Sequence, residues 1–160
     1  MPNIVVDIAN MAVSNNPEDI LVTYALGSCL GIVLYDPVVQ VGGLAHIMLP
    51  DSSLENGSPS FNPLKYIDTG IPVLYKKMYQ FNAQKSRIHN AIIGGAQIMD
   101  DNNYFNIGER NFAAVRKVFW RNNVLINKKH VGDRINRTVR LEIATGKITV
   151  KLSSGSTIVL

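Results

Sequence analysis

The chain has 160 residues, 46% hydrophobic and 18% charged, which is enough apolar material for a buried core and too little charge for a disordered chain. Its single cysteine excludes an intramolecular disulfide, and no apolar run approaches the roughly 20 residues of a bilayer-spanning helix. The net charge of +4 conceals an asymmetry: residues 1–64 hold six acids and no Lys or Arg, whereas all 16 basic residues lie from Lys65 onward beside six further acids.

The N-terminal stretch NIVVDIANMAV is β-rich, reads as one strand and ends at the turn-forming SNNPED. Asp7 inside it, with no basic residue before it, argues against a signal peptide, so a cytoplasmic protein without membrane insertion is expected. ILVTYAL is almost wholly apolar or β-branched, the pattern of a strand buried on both faces. GSCLG interrupts it before IVLYD resumes, and VGGLAHIMLP supplies a further strand closed by Pro50. A Ser-, Asn-, Gly- and Pro-rich loop follows over 51–62.

Helical spacing starts at Pro63, with Asn62 as cap and Leu64, Ile67, Ile71, Leu74 and Met78 on one face. Gly70 and Pro72 fall inside that pattern and predict a kink or a late start. RIHNAIIGG reads as a strand ending at Gly94-Gly95. A second amphipathic helix spans roughly 108–123, with Phe112, Val115, Val118 and Phe119 on its apolar face. Val139, Leu141 and Ile143 alternate with Arg140 and Glu142, as do Ile148, Val150 and Leu152 with Thr149 and Lys151; TGK at 145–147 joins them into a hairpin. The last four residues suit either a short strand or an isolated contact. No repeat or linker divides the chain, so a single α+β domain over 1–160 is expected.

Little of the usual site chemistry fits. His46, His89 and His130 are far apart and form no metal-ligand spacing with Cys29 or an acid, so neither a metal nor a cofactor is expected. Gly94-Gly95-Ala96 lacks the remaining positions of a phosphate loop, and no nucleophile elbow surrounds Ser28. The basic residues are scattered without a nucleic-acid module, so no nucleic-acid partner is assigned. Cysteine chemistry is better supported: Cys29 sits where a strand breaks at Gly27, and His46 on a later strand can serve as its base if the segments are neighbours in one sheet. A lone cysteine and a histidine in apolar strands also fit a packed core, and their spacing leaves both readings open.

The sequence TxxLGSCxG at Thr23–Gly31, followed by YDP at 35–37 and GGLAHIMLP at 42–50, resembles the chemoreceptor glutamine deamidases called CheD. The resemblance runs on through KYIDTGIPVL at 65–74, IIGGAQIM at 92–99, IGERN at 107–111 and the hairpin RTVRLEIATGKITV. It covers residues 4–150 and leaves 151–160 as a tail. It implies a cysteine nucleophile at Cys29, a general-base histidine at His46 and a threonine at Thr23 that orients it. Gly27, Ser28, Gly94, Gly95 and Arg137 are the substrate-binding candidates. Implied, too, are deamidation of receptor glutamines, hydrolysis of receptor glutamyl methyl esters, the chemotaxis phosphatase CheC as partner, and a layered mixed-sheet core with two main helices. That core is similar to deamidating toxins of the cytotoxic necrotizing type. An alternative is a non-catalytic partner of CheC. The family pattern has glycine at the positions of Asp133 and Asn136, which bears on loop geometry or partner docking.

Overall fold

The computed structural model describes residues 3–53, 55, 57–97 and 106–160. Two five-stranded sheets form the fold. The first runs in the order β1 (Asn3–Val5), β3 (Ile20–Leu26), β8 (Arg137–Glu142), β9 (Ile148–Leu152) and β10 (Thr157–Val159). The second runs β2 (Asn10–Ser14), β5 (Val41–Ile47), β4 (Leu30–Asp36), β6 (His89–Gly94) and β7 (Lys128–Val131). Each sheet is antiparallel except for one parallel pair, β1 with β3 and β6 with β7. Two helices, α1 (Ile67–Gln80) and α2 (Ile107–Arg121), pack on the second sheet.

The layers follow from strand alternation. Val33, Tyr35, Leu44, Ala91 and Ile93 of the second sheet meet Leu21, Val139, Leu141 and Val150 of the first. Their neighbours Leu30, Ile32, Leu34, Ala45, Ile47 and Ile92 point the other way, against Ile67, Ile71, Leu74 and Met78 of α1 and Val115 and Phe119 of α2. Being sandwiched this way buries every residue of β4 and β5. Burial on both faces, expected for ILVTYAL, therefore belongs to these two strands; β3 is buried through Thr23 and then exposes Tyr24 and Ala25.

The expected N-terminal strand is two strands in different sheets. Ala9 takes a left-handed φ of 59°, and the chain crosses there from the first sheet to the second. Of the alternatives at Pro63, the helix starts late. Asn62 Oδ1 accepts from Leu64 N–H and caps a turn of 3-10 helix at Pro63–Lys65, before α1 begins at Ile67. The hairpin forms as expected, with Val139 paired to Val150 and Leu141 to Ile148. The tail adds β10 beside β9, and β7 is a strand the pattern did not announce.

Folding does not scramble the charge split within the sheets. Strands from the first 64 residues lie at one edge of each sheet, and strands from the basic half lie at the other. The helices do cross that boundary, since α1 packs over β5 and β2. Among the described residues no helix is long and apolar enough to cross a membrane.

Candidate active site

Cys29 lies in the three-residue bend between β3 and β4, where the chain passes from the first sheet to the second. Neighbouring segments tie back all three carbonyls of the bend, two through backbone amides and one through a side chain: Gly27 O accepts from Ala96 N–H at 2.9 Å and Cys29 O from Gly95 N–H at 3.0 Å. Ser28 O accepts from Asn111 Nδ2 at 3.0 Å. Gly94 is indispensable to this clasp, because at its φ of 115° a Cβ would collide with the Cys29 carbonyl oxygen. With the carbonyls turned inward, the Cys29 N–H faces its own sulfur. Sγ is half-buried and borders the inter-sheet core. Burial pushes the thiol pKa up, and that N–H partly offsets it.

His46 lies on β5, next to β4 in the second sheet. In the β4–β5 ladder it stands opposite Gly31, two residues beyond Cys29, and the Leu26 and Leu44 side chains close on the space beside that glycine. β4, which follows the cysteine bend, and β5 are neighbours in one sheet. Thr23 comes from the facing sheet: its Oγ1 lies 2.7 Å from His46 Nδ1 and donates to the Val6 carbonyl at 2.7 Å. A carbonyl only accepts, so the single hydroxyl proton goes to Val6 O. The Thr23 oxygen then accepts from Nδ1–H, which leaves the Nε2 lone pair free. Nε2 is buried and has no hydrogen-bond partner among the described residues, so the thiol and the imidazole rest without a bond between them. Burial lowers the His46 pKa from 6.5 to about 4, with Asp7 acting in the opposite direction. At neutral pH the thiol is therefore protonated and the imidazole neutral.

The remaining candidates stand behind the nucleophile. Gly27 and Ser28 form the bend, and Gly94 and Gly95 hold it by backbone contact. Arg137 is only 1% exposed; its Nε donates to His130 Nδ1 at 2.8 Å and its Nη1 to Gly94 O at 3.2 Å. Its guanidinium therefore braces the end of β6. Burial lowers the pKa of both Arg137 and His130. Asp133, in place of the expected glycine, keeps a left-handed φ of 58°, a conformation Asp tolerates better than most side chains. The expected motif IIGGAQIM runs partly outside the described residues. Among the described residues, no group of three His, Cys, Asp or Glu side chains is placed to hold a metal ion.

Three contributors escaped the sequence reading. Val6 carbonyl and Asp7 act from the N-terminal crossover, whose position no local pattern reveals. Asn111 did leave a signal, as a polar residue on the buried stripe Gly108, Asn111, Val115 and Phe119 of α2.

A family model described as CheD chemotactic sensory transduction matches residues 48–152. A protein of Syntrophus aciditrophicus named probable chemoreceptor glutamine deamidase CheD 1 is 54% identical over 97% of both chains. Proteins named probable chemoreceptor glutamine deamidase CheD from Solibacter usitatus and Syntrophotalea carbinolica are 42% and 34% identical, over 92% and 94% of this chain and 88% and 94% of theirs.

Proposed function

Because the chain belongs to the CheD family, we propose that it is a cytoplasmic cysteine hydrolase converting selected chemoreceptor glutamines to glutamate in chemotaxis. The observation that supports the mechanism is the Val6–Thr23–His46 chain, which leaves the His46 Nε2 lone pair free to accept a proton. Nε2 takes the Cys29 proton as sulfur attacks the carboxamide carbon, and the Cys29 N–H stabilises the oxyanion. The imidazolium keeps its Nδ1–H on Thr23 and gains from the Asp7 carboxylate. It then protonates the departing ammonia, and a thioester remains. His46, neutral again, takes a proton from water; hydroxide opens the thioester to glutamate and the thiol is restored. A glutamyl methyl ester follows the same route and loses methanol. The likeness to deamidating toxins belongs to this reading, supported by a nucleophile bend set between packed layers.

Intact mass spectrometry of a cognate receptor cytoplasmic fragment incubated with the protein tests this. The glutamine-to-glutamate mass increase is expected with the wild type, and it is expected to vanish with Cys29→Ala and His46→Ala. Activity retained by Cys29→Ala overturns the mechanism. A compatible second reading, docking of the CheC phosphatase, is favoured by Trp120 in the last turn of α2 and Leu125 just after it, which are 80% and 82% exposed. An inactive wild type that still binds CheC makes this second reading the primary one.

A further inference from the structure

We propose that Asn111 is a positioning residue that staples the nucleophile bend to the strand carrying the base. This rests on the cysteine-hydrolase reading above. Asn111 is fully buried, and its Nδ2 donates both to Ser28 O at 3.0 Å and to Met48 O at 3.1 Å. Ser28 immediately precedes Cys29, and Met48 follows His46 by two residues. One amide group therefore spans the two catalytic segments. Its orientation is fixed by chemistry: two carbonyls require the NH2 end, since the oxygen end has no proton to give either of them.

The helix that brings Asn111 here is itself gauged against the bend. Gly108 sits so close to the Gly95 and Ala96 carbonyls that a Cβ would overlap both. Gly95 and Ala96 in turn hold the Cys29 and Gly27 carbonyls by their amides. Gly108 and Asn111 lie on one helix face at i and i+3. The glycine sets the depth of α2, and the asparagine closes the clasp one turn later. Of the three bonds that turn the bend's carbonyls inward, that of Asn111 is the one made by a side chain, and it alone reaches the β5 side. The remaining Oδ1 is buried without a partner among the described residues. Retaining such an atom costs stability, and an apolar residue would instead strip the Ser28 and Met48 carbonyls of their side-chain donor. What the amide adds beyond satisfying those two carbonyls is the register it imposes between the segments that carry Cys29 and His46.

The test compares Asn111→Leu and Asn111→Ala with the wild type, in His46 and in His46→Ala backgrounds. Alkylation of Cys29 by iodoacetamide across pH reports His46-assisted reactivity without any receptor. The expected alkylation profile of each Asn111 variant coincides with that of His46→Ala, and the double variants show no further loss. With a receptor fragment, kcat falls about a hundredfold while KM holds. An unchanged alkylation profile, losses that add in the double variants, an effect confined to KM, or failure of both variants to fold would each assign Asn111 a purely structural role and overturn the proposal. Alkylation coupling without receptor turnover by the wild type instead removes the deamidase reading and leaves the staple standing.

Discussion

The imidazole of His46 is neutral in the fold because it is buried, and that state has consequences on both sides of its pKa. On the proposed mechanism catalysis needs the free Nε2, so kcat/KM is expected to rise with pH through about 4, not 6.5, when measured on a receptor fragment at low salt. Stability follows the same proton. In the unfolded chain His46 binds a proton below about 6.5, whereas the folded protein resists doing so until about 4. The contribution is present in full above the unfolded value and is lost as pH falls from about 6.5 to about 4, amounting to about 3 kcal/mol. Urea unfolding at neutral and mildly acidic pH should show this loss in the wild type, with a smaller loss in His46→Gln. Equal losses in the two proteins would show that His46 is not the group responsible.

At the scale of elements, the site depends on how the end of β6 meets the bend before β4. Gly94 and Gly155 both have positive φ, 115° and 102°, but only Gly94 faces a backbone carbonyl, whereas nothing surrounds Gly155. Gly155→Ala is therefore expected to cost about 1–3 kcal/mol of backbone strain and leave kcat unchanged. Gly94→Ala adds a collision with Cys29 O, and the displaced nucleophile should lower kcat about a hundredfold. Thermal melts and turnover of the two variants check the contrast. Matched kcat values would mean that the β6 end does not set the nucleophile. The strands and the hairpin were legible because alternation and Gly or Pro punctuation are local signals. The break at Ala9 was not, since it depends on a left-handed alanine held where the chain changes sheets. The pairing of Thr23 with His46 was equally hidden from local pattern, because it spans two sheets, and only the resemblance brought Thr23 into the site. Asn111 shows the intermediate case, with its polarity visible on an apolar stripe and its two carbonyl partners invisible until the helix is placed.

Across the whole molecule, the proposed catalytic trio comes from the 64 residues that lack Lys and Arg, while Gly94, Gly95, Ala96 and Asn111, which hold the cysteine bend, come from the basic half. The two meet at the exposed end of β3. There a concavity of about 400 Å³ is lined by Tyr24, Ala25, Arg137, Thr138, Arg140 and Lys151 among others. The Arg140 guanidinium lies 5.8 Å from the centre of the Tyr24 ring. Tyr24 adjoins Thr23 in the chain but is exposed where Thr23 is buried, so this positive surface lies on the outer face of the first sheet. On the proposed reaction each turnover leaves a carboxylate on the receptor, so a receptor surface under repeated modification grows more negative around the remaining glutamines. Positive charge at Arg140 and Lys151 would attract that surface before docking and contribute little to the chemical step. The expected result is a kcat/KM that falls as salt is raised from about 0.05 to about 0.5 M, with kcat constant. Arg140→Glu combined with Lys151→Glu should lower kcat/KM at low salt and flatten that dependence, because the charges being screened are gone. A double variant whose salt dependence matches the wild type would place the steering charges elsewhere, with the lysines and arginines of the helical layer next to be reversed.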